Sequence, residues 1–370
     1  MKKFIFLIFL LFCYMISFAD DTPLRKKISQ MIIIGFNGTK ITENNPVYDD
    51  LINERISGVI IFSKDAAKVR AKKKDTTKNI KSPEQLKALI KQIKELSPSK
   101  LFISIDQEGG RISRLPSEMG FNAETLSHKK LGEKDNKKLT YKQAKKIAKT
   151  LKELGINVNF APCVDLAVNK NSPIIYKMGR SFSDDPDIVT KHAREYIKAH
   201  KKYNILAVAK HFPGHGSALA DSHNGFTDIS ATWTEKELEP YIYLNKKKLL
   251  NGVMVAHVYN KNLDKDYPAT MSENVVTDLL KNEIGFKGIV FTDDMQMGAI
   301  SGNYSLKDSI ITSINAGIDV LVFGNNTQYN KEGIAKKFND IVFNAVKEGK
   351  ISQDRIDEAY TKIIKIKEGL

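Results

Sequence analysis

Eight short apolar runs constrain this 370-residue chain more than any other feature. They read QMIIIGF (30–36), SGVIIF (57–62), LFISID (101–106), VNFAPCVD (158–165), ILAVAKHF (205–212), GVMVAHV (252–258), GIVFTDD (288–294) and GIDVLVFG (317–324). Their near-continuous apolar character suits strands buried on both faces, as in a parallel sheet. The stretches between them carry helical spacing. In SPEQLKALIKQIKEL (82–96), Ser82 is placed to cap a helix and Pro83 to fill its first position. YKQAKKIAKTLKELG (141–155) ends on glycine, a common helix stop. Eight strand–helix units predict an α/β fold of the (β/α)8 TIM-barrel type, with residues 20–370 as a single domain. The alternative is an open doubly wound sheet. No glycine-rich phosphate loop follows the first run, which weakens the dinucleotide-binding version of that fold.

Titratable residues gather at the carboxyl ends of the runs: Asp106, Asp165, Lys210–His211, His257 and Asp293–Asp294. A single aspartate after a strand is usually a turn or helix cap. Five strand ends bearing such groups predict more, because in a barrel all these ends share one rim, where active sites are built.

The amino terminus stands apart from this pattern. Lys2–Lys3, the apolar run FIFLIFLLFCYMI and then Ser17-Phe18-Ala19 predict a secretory signal peptide over residues 1–19. The apolar run is short for a bilayer span of about 20 residues, so cleavage is favoured over a retained anchor. Export to the periplasm, or secretion, is the expectation, with no membrane span left afterwards. Cleavage would remove Cys13 and leave Cys163 alone, so no internal disulfide is expected. It would also lower the formal net charge of +15 by two. Much of the excess lies in KDAAKVRAKKKDTTKNIK (64–81), with eight basic and two acidic residues. Such a run is most often a solvated loop; the sharper reading is attraction to an anionic polymer. Nucleic acid is excluded as the partner by the expected export and the lack of interleaved aromatics. A carboxylate-bearing cell-wall polymer fits better.

KHFPGHGSALADSH (210–223) holds three of the seven histidines: His211, His215 and His223. A metal pair, a histidine-rich turn and an acid/base group all have to be weighed. His211 and His215 have the spacing of two zinc ligands on a helix, but Pro213-Gly214 between them opposes a helix, and no cysteine set lies nearby. Asp221 and His223 stand two apart, where a carboxylate can hold an imidazole and stabilise its charged form. Such a dyad, combined with an aspartate elsewhere on the rim, suits glycosidic bond cleavage. That reaction needs one group to protonate the leaving oxygen and another to attack the anomeric carbon. A histidine acid is unusual there, though its ordinary pKa of about 6.5 suits proton exchange near neutrality.

Nine motifs run in order along nearly the whole mature chain: GVIIF (58–62), SPEQL (82–86), DQEGGRISR (106–114), NFAPCVD (159–165), GRSFSDDP (179–186), KHFPGHG (210–216), DSH (221–223), GVMVAHV (252–258) and FTDDM (291–295). Through them the chain resembles the β-N-acetylglucosaminidases of glycoside hydrolase family 3, of the NagZ type. The resemblance implies Asp293 as the nucleophile that forms a covalent glycosyl-enzyme, His223 as general acid/base and Asp221 as its dyad partner. It implies Asp106, Arg114, Arg180, Lys210 and His211 as the grip on the terminal sugar. No metal or cofactor is implied.

Only about 45 residues follow the eighth run, and they read as two helices (332–350 and 352–370). That leaves no room for the second domain from which many family 3 β-glucosidases draw their acid/base, so the barrel itself must supply it. Three departures stand out. Ser217 occupies a position where the family often has aspartate, NGFTDI (224–229) replaces a common Leu-Pro pair after DSH, and the basic stretch near 64–78 is longer than usual. The expectation is a monomeric exo-β-N-acetylglucosaminidase acting on peptidoglycan fragments. Its rivals are a phosphorylase, a β-glucosidase of the same family and a non-catalytic wall-binding protein.

Overall fold

A computed structural model describes residues 22–222, 225–326 and 333–370. The expected signal peptide and His223 lie outside the described residues. All eight apolar runs become strands: β1 (Ile32–Gly35), β2 (Gly58–Ile61), β3 (Phe102–Ile105), β4 (Val158–Asn159), β5 (Leu206–Phe212), β6 (Gly252–Val255), β7 (Ile289–Asp294) and β8 (Val320–Phe323). They pair in parallel and in chain order, and β1 pairs with β8 through Ile32 opposite Leu321, which closes the barrel. The open-sheet alternative is thereby excluded.

Burial explains the sequence pattern. Every residue of β1 to β6 and β8 is buried, as expected when helices cover one face of a barrel and side chains fill the other. Phe102 of β3 and Phe291 of β7 meet edge to face at 6.2 Å between ring centres, and Phe160 meets Phe291 at 5.6 Å. β3 and β7 are not neighbours in the sheet, so these contacts cross the barrel interior.

Local signals placed the helices well. The helix Pro83–Leu96 begins after Ser82, whose side chain accepts the Gln85 N–H, and Pro83 fills its first turn. The helix Lys137–Leu154 stops at Gly155 in a left-handed conformation, but it starts before the expected residue 141 because Asn136 caps it. The last two helices span Ile334–Lys347 and Gln353–Glu368. The fourth run is the exception among the strands. β4 ends at Asn159, because the Ala161 N–H turns back to the Asn159 carbonyl at 2.8 Å. Beyond the strand, Cys163 still bridges to Lys210, so the chain keeps its course along β5 to the rim.

Candidate active site

The site is built where two strands break register. The pairing of β5 with β6 shifts between Lys210 and Phe212, and that of β7 with β8 shifts between Phe291 and Asp294. An extra residue in one strand re-aims the side chains around it. The two shifts bracket Lys210–His211 and Asp293, residues singled out by the sequence.

A network of alternating charges links the strand ends. Lys210 Nζ donates to Asp106 Oδ1 at 2.7 Å and lies 2.9 Å from Glu108 Oε1. Arg180 grips Glu108 with two bonds, Nε to Oε2 at 3.0 Å and Nη2 to Oε1 at 2.7 Å. The same Nη2 lies 3.1 Å from His211 Nε2. Arginine has only donors, so Nε2 accepts and the ring proton sits on Nδ1, which donates to Asp165 Oδ2 at 2.6 Å. Asp165 also accepts the thiol of Cys163 at 3.0 Å and the His215 N–H at 2.7 Å.

Charge neutralisation decides the ionisation states here. Burial works against the charge on Glu108, but Arg180 and Lys210 outweigh it and hold the carboxyl well below its ordinary range. Burial likewise opposes the charge on Lys210, and Asp106 and Glu108 outweigh it, so the amine is held above its usual value. Asp165 is held low by His211 against its own burial. Burial, with Asp165 beside it, pushes the Cys163 thiol well up, so it stays a protonated donor. Cys163, Asp165 and His211 form the kind of buried N/O/S cluster that suits a metal, but in this arrangement both protons of the set point at Asp165.

Exposure sorts the five expected sugar-binding residues into two layers. Asp106 and Arg114 keep 16% and 27% of their side chains accessible and face each other at 3.7 Å. Arg114 Nε is buried without a hydrogen-bond partner among the described residues. Lys210 and Arg180 are only 3% and 8% accessible, and His211 has both ring nitrogens engaged. The structure therefore brings all five together, with Asp106 and Arg114 above and the other three bracing them.

Sequence reasoning missed Glu108, the carboxylate that joins Lys210 to Arg180. The available signal was its place two residues after Asp106, the spacing that returns a side chain to the same side of an extended chain. Asp165 was noticed as a strand end but given no role. Lys78 was read as part of a solvated loop; instead it is buried, and its amine donates to the carbonyl of Asn325 and, at 3.2 Å, to Asn326 Oδ1. Burial pulls that amine down to about 8. Arg111 is an exposed arginine that donates to the Lys177 carbonyl at 3.3 Å.

The two neighbouring aspartates of β7 separate in role. Asp294 Oδ1 accepts the N–H groups of Gly324 at 2.9 Å and Gln296 at 3.0 Å, and its backbone carbonyl lies 3.0 Å from His257 Nε2. It ties β7 to the end of β8. Asp293 Oδ1 accepts the neighbouring Asp294 N–H at 2.8 Å, and its side chain is half-buried at the rim.

The chain after β5 is strapped across the mouth. Gly214, at φ 131°, packs on Glu237, where a Cβ would fall 2.6 Å from the Glu237 Cβ, so only glycine fits. Glu237 Oε2 accepts the Gly216 N–H at 3.0 Å, and burial pushes this carboxyl up to about 7. His215 Nε2 lies 3.1 Å from Ser222 Oγ, so His215 does brace the turn. The Ser222 carbonyl then accepts the Ala299 N–H at 3.2 Å, just beyond β7. Asp221 is half-buried in this strap. The pairing of Asp221 with His223 lies outside the described residues.

The profile of the glycosyl hydrolase family 3 N-terminal domain matches residues 23–366. The chain belongs to glycoside hydrolase family 3. Beta-hexosaminidase A of Pseudoalteromonas piscicida is 32% identical over 341 residues, covering 87% of this chain and 55% of that protein. This family 3 chain thus spans about half the length of that relative. The beta-hexosaminidase of Nitrosomonas eutropha is 31% identical over 308 residues, 80% of each chain. The family 3 β-N-acetylglucosaminidase structure from Paenibacillus sp. superposes with a TM-score of 0.82 at 29% identity, covering 94% of this chain and 62% of that one.

Proposed function

We propose that the chain is a retaining exo-β-N-acetylglucosaminidase that removes terminal non-reducing N-acetylglucosamine from peptidoglycan fragments. Asp293 attacks the anomeric carbon while His223, paired with Asp221, protonates the leaving oxygen. Water then hydrolyses the glycosyl-aspartate with His223 as base. The observation that supports this reading is the pair of register breaks beside Lys210 and Asp293, at strand ends that share one rim of the closed barrel. Asp106 and Arg114 bind the sugar directly. Lys210, Arg180 and His211 hold them and add charge to the grip. The enzyme works exported, as a monomer, and no helix among the described residues is long and apolar enough to cross a membrane.

The deciding experiment is product analysis on purified muropeptides, with and without phosphate. Free N-acetylglucosamine in both cases supports hydrolysis. Sugar-1-phosphate formed only with phosphate would replace it with phosphorolysis, and no product at all would leave a wall-binding protein.

The basic stretch supports the anionic part of this substrate. Lys68, Arg70, Lys72, Lys73 and Lys74 are all exposed, on an excursion after β2. Its root is firm: Asp65 caps the Lys68 N–H at 3.0 Å, and the Asp65 N–H bonds to Thr76 O at 2.8 Å. The Ala66 N–H reaches Asn326 beyond β8 at 3.1 Å, so the excursion leaves from the same face as the site. Replacing Lys72, Lys73 and Lys74 together by glutamine should lower kcat/KM on carboxylate-bearing muropeptides about three- to ten-fold at low salt. The loss should fade as salt rises, and a neutral aryl N-acetylglucosaminide should be cleaved as before. A salt-independent loss on both substrates would count against the electrostatic role.

A further inference from the structure

Four aromatic rings line the rim on the loops that follow β5, β6 and β7. Phe226 lies against Tyr259 with ring centres 5.1 Å apart and planes tilted by 40°. Tyr267 lies against Tyr304 at 6.4 Å and 38°. Burial, with Tyr267 beside it, holds the Tyr304 hydroxyl above the usual phenol range. Phe226 is 52% exposed and Tyr267 39%. Leu219, on the same strap as Phe226, is 62% exposed.

The backbone shows where the row sits. The chain leaves β5 at Phe212, reaches the turn after β7 at the Ser222–Ala299 bond, and returns along the loop after β6. There the Tyr259 N–H donates to Thr227 O and the Ile229 N–H donates to Tyr259 O, each at 2.8 Å. Phe226 is on this return arm, between the turn after β7 and the loop after β6. NGFTDI, the segment at which the sequence departs from its family, thus supplies the exposed ring.

We propose that Phe226, Tyr259, Tyr267 and Tyr304 form a stacking platform for the leaving-group side of the substrate, a second pyranose ring. This rests on the functional reading above. An exo-enzyme buries one terminal sugar, so the next sugar must pass over the rim. A pyranose presents apolar C–H faces and a polar edge, which suits exposed rings with hydroxyls and Asp264 beside them. A protein partner fits less well. Such an interface needs roughly 800 Å² per side, more than a few half-exposed rings present.

The test compares two substrates that share the N-acetylglucosaminyl group. One is a β-linked disaccharide with a pyranose as leaving group; the other is the glycosyl fluoride, which has no ring to stack. Phe226→Ala and Tyr267→Ala should each raise KM for the disaccharide about ten-fold while leaving the fluoride unchanged. Phe226→Tyr should behave as wild type on both. Equal losses on both substrates would assign the rings to loop packing and overturn the platform, as would no loss on either. Wild-type enzyme inert on both would instead overturn the functional reading, and the platform with it.

Discussion

Replacing Asp293 by alanine is expected to lower turnover of an aryl β-N-acetylglucosaminide by about 10⁴-fold or more while the protein stays folded. The reason is chemical. Without the carboxylate the proposed glycosyl-enzyme cannot form, and the bond that Asp293 Oδ1 accepts from the Asp294 N–H at 2.8 Å is a local one. The neighbouring residue supplies the control. Asp294 holds the Gly324 and Gln296 N–H groups, so Asp294→Ala strands two donors and should cost about 1–3 kcal/mol of stability. Steady-state kinetics and thermal melting on both variants separate the roles. Near-normal turnover in Asp293→Ala would end its assignment as nucleophile. A second contrast concerns the acid. His223→Ala should hurt an unactivated sugar leaving group far more than an acidic phenol, which departs without a proton.

Glu108→Gln is expected to give the largest loss of stability from a single change in the site. Glu108 is 2% exposed and is the shared anion of Arg180 and Lys210. Removing its charge leaves two buried cations facing each other, at a cost of about 3–5 kcal/mol. Urea unfolding measures the loss directly. The pH dependence has a definite sign. Because the folded-state pKa of Glu108 is depressed, its contribution is fully present above the ordinary carboxylate value of about 4.3 and is lost as pH falls through the lower folded value. Wild type should therefore lose stability along an acid limb that is shallower in Glu108→Gln. Equal midpoints at pH 7 and identical acid limbs would show that the Arg180–Lys210 pair does not need this carboxylate.

Much of the fold was legible because it rests on local pattern. Continuous apolar runs gave parallel strands, and Ser82, Pro83 and Gly155 marked helix ends through hydrogen bonds that reach only a few residues. The errors came from local features too weak to see in a pattern. A turn at Ala161 cut β4 short, and Asn136 started a helix early. Lys78 was misread because its neighbours are exposed lysines; what buries it is the end of β8, far away in the chain.

The candidate site was legible in its residue types and much less in their arrangement. Strand-end position picked out Asp106, Asp165, Lys210, His211 and Asp293, the two-residue spacing of Asp221 and His223 suggested a dyad, and the resemblance added Arg114 and Arg180. These readings did not show that Arg180 and His211 stand beneath the grip, nor that Glu108 joins Arg180 to Lys210. The bonds that settle this span 104 residues between Lys210 and Asp106, 72 between Arg180 and Glu108, and 46 between His211 and Asp165.

The amino-acid sequence by itself determined the alternation of strand and helix, the count of eight and the chemical groups carried to one rim, because periodicity and capping act over a few residues. Only the tertiary structure decided which groups stand open at the rim and which brace the others. That depends on two register breaks and on buried charges finding partners from distant strands, and a buried charge is stable only where closure of the barrel has brought its counterion.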